Sequence, residues 1–484
     1  MFATTFLGHQ GWLFQTQRAC IMVDPLLCER FGHAQALEYR VWPPRVWHAE
    51  ALPPLDAVVL THEHDDHFDI PSLARLDRTI PIWLSARSST AARQILATMG
   101  FTVHALVPGT PVRWRDLELI PFAGDYVTTH CGDEWDALPF LVRQTGGSGS
   151  FFSMVDIPLT SGHVARTRAV QREPGLVGWT NNALDWSHMT DYLQPREDAT
   201  QDCFLKMGVG HKLISEEWGT PAAMLMCAGG FSFEGDRGWM NGRVFCVNTA
   251  VVCHTMKQVY AAQHFLPALP GQTFFMEANR LKQIEPQTAW LACEPPEHWP
   301  ARGHDPALPT QDFAPATGRR ALNERERAEV EAGLALLAGS MVGGDLFRGL
   351  HTLEDNELSG RTLSFAFVLR DEARPAPLMY AYESTACAFV AGATDPRATY
   401  LAGLECWASD LHAVLTGALG PIALTFGRAR LWNALPERFH FDIFGALYGV
   451  SHPLRRPAEY LATYERLWAA AAGTTPSVKG RTNG

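Results

Sequence analysis

The 484-residue chain has no excess of basic residues: 40 lysines and arginines stand against 51 aspartates and glutamates, for a formal charge of -11 and a pI near 5.9. That balance argues against nucleic acid or an anionic membrane as a partner. It also has no uninterrupted apolar run of the roughly 18 residues that a bilayer span needs. Its opening, MFATTFLGHQGW, has neither the basic nor the apolar region of a secretory signal. The ten cysteines (Cys20, Cys28, Cys131, Cys203, Cys227, Cys246, Cys253, Cys293, Cys387 and Cys406) are scattered without C-x-x-C spacing. This pattern excludes a zinc finger or an iron–sulfur cluster and fits buried thiols in a reducing compartment. A soluble, cytoplasmic protein is expected.

With 46% hydrophobic residues there is ample material for a core, and the length exceeds what one ordinary core organises. Short apolar runs dominate the first half: Thr5 to Phe14, Ala19 to Asp24, Ala57 to Thr61, Pro81 to Ser85, Val103 to Val107 and Leu117 to Pro121. Ser88 and Ser89 cap an amphipathic stretch, Thr90 to Met99, that Gly100 ends, so strands and helices interleave. A second pass begins near Leu138. Leu138 to Val142 and Phe151 to Val155, joined by a glycine-rich turn, read as a hairpin delivering Asp156 at a strand end. A helix over Ser161 to Arg172, a strand over Gly175 to Thr180 and a strand over Ala222 to Phe233 broken by Gly229 and Gly230 follow.

Prolines 295, 296, 300, 306, 309 and 315 mark 294–320 as a linker. The chain thus divides into a first unit, 1–293, and a mixed α/β module, 321–484, that packs on it. The module opens with a helix over Glu324 to Leu337 behind an Asn323/Glu326 capping box. Strands at Leu363 to Leu369 and Leu378 to Tyr382, a helix from Arg397 to Leu415 and a helix from Pro457 to Trp468 are expected after it.

The chemistry concentrates in THEHDDHFD, Thr61 to Asp69, directly after the apolar run ending at Leu60. Alternate residues of an extended segment point the same way, so His62 and His64 are placed to hold one metal, while Asp66 and His67, past the strand end, reach a second. Three histidines and two aspartates within six residues repel and desolvate one another unless a cation compensates. Glu63, between two of the donors, points away. His130 and Asp156 end later segments and complete the candidate metal set of His62, His64, Asp66, His67, His130 and Asp156, with Asp156 able to bridge two ions.

These motifs resemble the metallo-β-lactamase superfamily. FLGHQGWLF followed by IMVDP, with Asp24 bracing the metal loop, resembles its first hairpin, and His62, His64, Asp66 and His67 match its signature, with His130 and Asp156 in register. The fold this implies is α/β (α+β): an αββα sandwich over 1–293, here with a C-terminal α/β extension. The family's late-strand histidine is missing from Met224–Phe233, and His188, His211 and His254 are the possible replacements, with His211 in an irregular insertion. A narrower likeness rests on Leu266 to Leu281, the histidine-free Pro221 to Phe231, and Arg455, Pro457 and Tyr460, which are similar to the catalytic part of the CMP-N-acetylneuraminate hydroxylase family. It implies an iron-dependent monooxygenase. The ligands of that family's Rieske domain are lacking here, so O2 chemistry would take electrons from an external donor or from the substrate.

Three readings of one donor set follow. In the first, one or two irons serve an oxygenase acting on a small molecule. In the second, zinc serves a hydrolase of a lactone, ester, amide or phosphodiester, with Asp66 orienting the attacking water. In the third, the chain is a metal-binding scaffold without turnover. Trp179, Asn181, Asn182, Asp185 and His188 are candidates for the pocket mouth and substrate contact. Tyr126 and His9 approach from flanking loops, and Arg455 and Arg456 sit in a turn as candidates for an anion clamp.

Overall fold

The first apolar run is a hairpin, as the resemblance implied. Phe2–Gly8 and Gly11–Gln15 pair antiparallel about a turn at His9 and Gln10. Gly8 takes a positive φ of 107° there, and a Cβ on Gly11 would lie 2.8 Å from the Asp24 carbonyl oxygen, so both positions require glycine. The computed structural model describes the chain except residues 34–37, 125–133, 148, 181–198, 228, 243–248, 303–310, 353–359, 425, 434–442, 472, 474–476 and 482–484.

This hairpin sits in an eight-stranded sheet. In spatial order the strands are Arg280–Glu285, Thr273–Glu277, Phe2–Gly8, Gly11–Gln15, Cys20–Val23, Ala57–Leu60, Ile82–Ser85 and Val103–Leu106, the last four parallel. A second sheet of seven strands follows the same plan. Val112–Trp114, Leu117–Pro121, Phe140–Gln144 and Ser150–Ser153 are antiparallel, and Leu176–Thr180, Ala223–Cys227 and Phe265–Pro267 continue in parallel. The inner parallel strands Cys20–Val23, Ala57–Leu60 and Ala223–Cys227 are buried along their length, as their continuous apolar runs require, while the edge strands Val103–Leu106 and Phe265–Pro267 are partly exposed.

Phe2, Trp12, Phe14 and Val59 of the first sheet meet Phe140, Phe151 and Leu225 of the second. Each large side chain so buried stabilises the sandwich by about 1.5–3 kcal/mol. Outside the first sheet lie Ile70, Leu73, Ile95 and Leu96 from the helices Ile70–Ala74 and Thr90–Thr98, the latter capped by Ser89 as expected. Outside the second lie Val164, Ile214 and Val252 from the helices Ser161–Val170, Ala199–Glu217 and Thr249–Val259. The layers run α, β, β, α. His211, expected in irregular chain, stands within the helix Ala199–Glu217.

The C-terminal part builds a five-stranded sheet in the order Ala388–Ala391, Leu378–Glu383, Thr362–Arg370, Tyr400–Trp407, Ala429–Asn433. The helices Glu324–Met341, with its capping box formed on both sides, Ala408–Thr416 and Ile443–Ser451 pack on it. One expectation is corrected here: the helix over Arg397 to Leu415 is a short helix Pro396–Thr399, a strand and then a second helix. The strand alternates two buried faces, and Gly403 has no room for a side chain because Trp432 stands 2.1 Å from where its Cβ would be. Tertiary packing thus overrides the helix-forming leucines and alanines.

The last helix, Pro457–Ala470, leaves this sheet and joins the outer helical layer of the first, where Tyr460 and Tyr464 enter the core with Ile70 and Ile95. Among the described residues no helix is long and apolar enough to cross a membrane.

Candidate metal centre

The site forms where parallel strands end, the usual place for a ligand crevice in such sheets. Cys20–Val23 and Ala57–Leu60 are neighbours, so Asp24 and Thr61 emerge side by side. Asp24, itself at a left-handed φ of 46°, accepts hydrogen bonds from Thr61 N at 2.8 Å and Thr61 Oγ1 at 2.6 Å. It also accepts from His67 Nδ1 at 2.8 Å, while His62 Nδ1 lies 3.1 Å from Thr61 Oγ1. One buried carboxylate therefore occupies the Nδ1 side of His67 directly and of His62 through Thr61, turning both Nε2 atoms inward. This is the arrangement that orients histidine ligands toward a metal. The turn His64–Phe68, closed by His67 N and Phe68 N donating to His64 O, swings Asp66 and His67 back over the strand end.

The inward atoms converge. Donor atoms of His62, His64 and Asp66, of His62, His67 and Asp156, and of His9, Asp66 and His67 lie within 4.8 Å of one another in each group. Asp156 Oδ2 stands 2.9 Å from His67 Nε2 and 3.6 Å from His62 Nε2, between the two halves. It follows the strand Ser150–Ser153, and the neighbouring Val155 has a φ of 55°. Gln10 donates to its other oxygen and is itself bonded by Thr180 Oγ1 at 3.2 Å. Glu134 places Oε2 3.4 Å from His62 Nε2 and Oε1 3.5 Å from His64 Nδ1. His9 Nε2 donates to Asp66 Oδ2 at 2.7 Å.

Electrostatics argue for a cation at this point. Burial, with the charges of His67 and His64, pushes His62 well below the usual imidazole range, and its buried Nε2 finds no hydrogen-bond partner among the described residues. Burial also disfavours charge on His67, but Asp66, Asp24 and Asp156 outweigh it and raise that imidazole well above its ordinary value. Asp66 is likewise opposed by burial, yet His67 and His9 hold it ionised. Imidazoles that must be neutral in one place and charged in another, around carboxylates of fixed charge, suit a bound divalent ion.

His62, His64, Asp66, His67 and Asp156, expected from the sequence, are brought together. His130, Tyr126, Asn181, Asn182, Asp185 and His188 lie outside the described residues. His211 packs its ring on Tyr260 and Phe265, and His254 pairs with Gln258, so neither reaches the centre. Trp179 lies over Gly210 of a helix. Arg455 donates to the Gly449 carbonyl and Arg456 to those of Val450 and Leu415, so both guanidiniums fasten the C-terminal turn. Glu63 points away from the donors as expected and accepts from Ser89 N, Ser89 Oγ and Tyr464 Oη at 2.7, 2.6 and 2.9 Å. Glu134 was missed. Its only sequence signal is a carboxylate four residues past His130, in HCGDEWD.

A cavity of about 410 Å³ opens over Asp66, Glu134 and Asp156. Phe31 and Phe231 line it near His9, and Leu419, Ile422, Phe426 and Tyr448 line it from the C-terminal part. Trp135 stands between His64 and His452, with ring centres 6.1 and 4.4 Å away. The site is therefore apolar in its walls and ionic at its base.

Residues 20–147 match the family described as a beta-lactamase superfamily domain. Over 75 residues the chain is 35% identical to an uncharacterized protein of Mycobacterium tuberculosis, a stretch covering 15% of this chain and 20% of that protein. The match thus spans about a fifth of the relative's length. Among solved structures, an isothiocyanate hydrolase from Delia radicum gut bacteria is similar at 16% identity and a TM-score of 0.41, covering 57% of this chain and all of that one. CmlA, a diiron beta-hydroxylase from Streptomyces venezuelae, is similar at 15% identity and a TM-score of 0.35, covering 59% of this chain and 54% of that one. The chain carries a beta-lactamase superfamily domain, built as a sandwich of two sheets between helices, a fold typical of metal-dependent enzymes.

Proposed function

We propose that this protein is a non-heme iron oxygenase, holding two irons and hydroxylating or oxidising a small metabolite. The observation that carries this reading is Glu134. It faces His62 and His64 with one oxygen each, so this half of the centre offers two imidazoles and a carboxylate. That donor set, with open positions, is characteristic of iron sites that use O2. His62, His64 and Glu134 are assigned to one ion, Asp66 and His67 to the other, and Asp156 to both. Iron held there supplies the oxidising power that no side chain has.

The protein's own part is to orient and to exclude water. Asp24 keeps the Nε2 atoms of His62 and His67 turned inward. Gln10 holds Asp156, and Asp66 remains ionised to keep the second imidazole charged or metal-bound. Phe31, Phe231, Phe426 and Tyr448 give the cavity apolar walls, which favours a substrate with an apolar or aromatic body over a sugar nucleotide. The division into a metal-binding unit (1–293), a linker (294–320) and a module (321–484) that closes the cavity belongs to this proposal. It is supported by Leu419, Ile422 and Phe426 lining the same cavity as Asp66. The two electrons that a hydroxylation needs beyond those of the C–H bond would come from a separate reductase.

A zinc hydrolase on the same donors is the competing reading. It is favoured by Asp66, which is held ionised within reach of both halves, the state required of a group that orients water. Protein produced in iron-rich medium and purified without oxygen decides between them. Two irons per chain, an absorption band that changes on admitting air, and O2 uptake with an external reductant are expected. Stoichiometric zinc with turnover of a chromogenic ester or phosphodiester would establish the hydrolase, and metal bound without O2 uptake or hydrolytic turnover would leave a scaffold.

A further inference from the structure

We propose that His9 is a ligand of the second ion, completing the half of the centre to which Asp66 and His67 belong; the inference rests on the two-metal reading above. His9 lies in the tight turn of the first hairpin, far in sequence from the donor cluster, yet its Nε2 stands 2.7 Å from Asp66 Oδ2. Asp66 Oδ2 is in turn 3.7 Å from His67 Nε2. Donors each about 2.1 Å from one ion, at tetrahedral to octahedral angles, are roughly 3–3.5 Å apart. These two spacings bracket that value and all three donor atoms lie within 4.8 Å of one another, so an ion fits among them with small side-chain adjustments.

Three further observations bear on the same assignment. His9 is held at a φ of 53°, a left-handed conformation uncommon outside glycine that the tight hairpin turn imposes and that fixes the direction of its side chain. Its ring is 4% exposed and fixed between Phe31 and Phe231, with ring centres 5.9 and 5.8 Å away, and it meets the His67 ring at 5.9 Å. Gln10, the next residue, grips the carboxylate shared by the two halves, so one turn addresses both the second ion and the bridge.

The loop after Ala223–Cys227 presses against this turn and brings no imidazole. A Cβ on Gly230 would lie 3.0 Å from His9 Cα and 2.8 Å from the Trp42 carbonyl oxygen. With His9 included, the second ion receives two imidazoles and Asp66, the same donor types that His62, His64 and Glu134 give the first, with Asp156 between them.

The test counts ions rather than turnover. Metal-free wild-type protein, His9→Asn and Glu134→Gln are titrated anaerobically with Fe²⁺ and, in parallel, with Co²⁺. Bound metal is measured by elemental analysis after desalting, and the Co²⁺ ligand-field band is followed by absorption. Asparagine tolerates the left-handed backbone, but its amide nitrogen overlays Nδ1 rather than Nε2 of the imidazole, so His9→Asn removes the ligand and its contact with Asp66 while keeping the turn. Two ions are expected in the wild type. In His9→Asn one ion should bind unchanged while the other weakens by at least about tenfold.

Two ions bound at wild-type affinity in His9→Asn would overturn the assignment, as would a wild type that takes only one. If the variant does not fold, a metal-loaded crystal of the wild type answers instead. Nε2 of His9 within about 2.2 Å of the second ion supports the proposal, and a separation beyond about 3 Å ends it. The count is blind to O2, so a native zinc enzyme would defeat the oxygenase reading and leave this assignment standing.

Discussion

Asp24 touches neither proposed ion, yet three hydrogen bonds tie it to the loop that supplies most of the donors. Glu134 is the residue at which the choice of metal is concentrated. Replacing its carboxylate with imidazole, Glu134→His, would give the first half-site three imidazoles, a set that zinc accepts readily. In a competition between Fe²⁺ and Zn²⁺ the bound ratio is therefore expected to shift toward zinc by at least about tenfold, read by elemental analysis. An unchanged ratio would mean that Glu134 does not ligate. The cluster within 62–67 was legible in the sequence because its donors are adjacent and a strand end sets their directions. Glu134 was missed, and His9 was expected only to approach from a flanking loop, because each is a single polar residue in a turn, the commonest setting for such residues.

Among elements, the strand Leu117–Pro121 shows how polar groups are accommodated in a sheet otherwise filled with apolar side chains. Glu118, 1% exposed, pairs across the sheet with Arg113 on one side and Arg143 on the other. Burial opposes its charge, but hydrogen bonds from Arg113 and Arg143 prevail and hold it below its ordinary value of 4.5. A carboxylate whose folded pKa is depressed stabilises the fold above its unfolded value, and that contribution is lost as pH falls through the folded value. Glu118→Gln should therefore cost about 1 kcal/mol near neutral pH, because both arginines left behind reach solvent, and flatten the fall in melting temperature below about pH 4.5. Thermal unfolding followed across pH 3–8 checks both. Leu117–Pro121 and its neighbour Phe140–Gln144 were legible as apolar runs, whereas Val112–Trp114, three residues long and centred on Arg113, was not. Tyr400–Trp407 was not, because its pattern suits a helix as well as a strand and only its neighbours in the sheet decide.

At the scale of the whole molecule, the last helix joins the end of the chain to the loop of donors near its start. Tyr464, fully buried, donates to Glu63, which sits between two of those donors and is also held by Ser89 at the start of the helix Thr90–Thr98. Tyr464→Phe removes one hydrogen bond to a buried carboxylate and keeps the ring. We expect a loss of about 1.5–3 kcal/mol in denaturant unfolding together with metal binding weakened by roughly tenfold. Lost stability with unchanged metal affinity would reduce Tyr464 to a packing role. The expectation that the C-terminal part lies against the first unit follows from size and from the absence of a second donor cluster. That its final helix completes the outer layer of the first sandwich has no local signature.

The sequence by itself determined the alternation of strands and helices, the caps of several helices and the group of donors in Thr61–Asp69, because each depends on residues within a few positions of one another. Asp156 could be named as a strand-end carboxylate, but tertiary structure alone decided that Glu134 meets that group, how closely His9 approaches it, and that a helix from the far end of the chain braces it. Those contacts join residues separated by tens to hundreds of positions, and their free energy comes from packing two sheets and their helices together, which no short stretch of chain encodes.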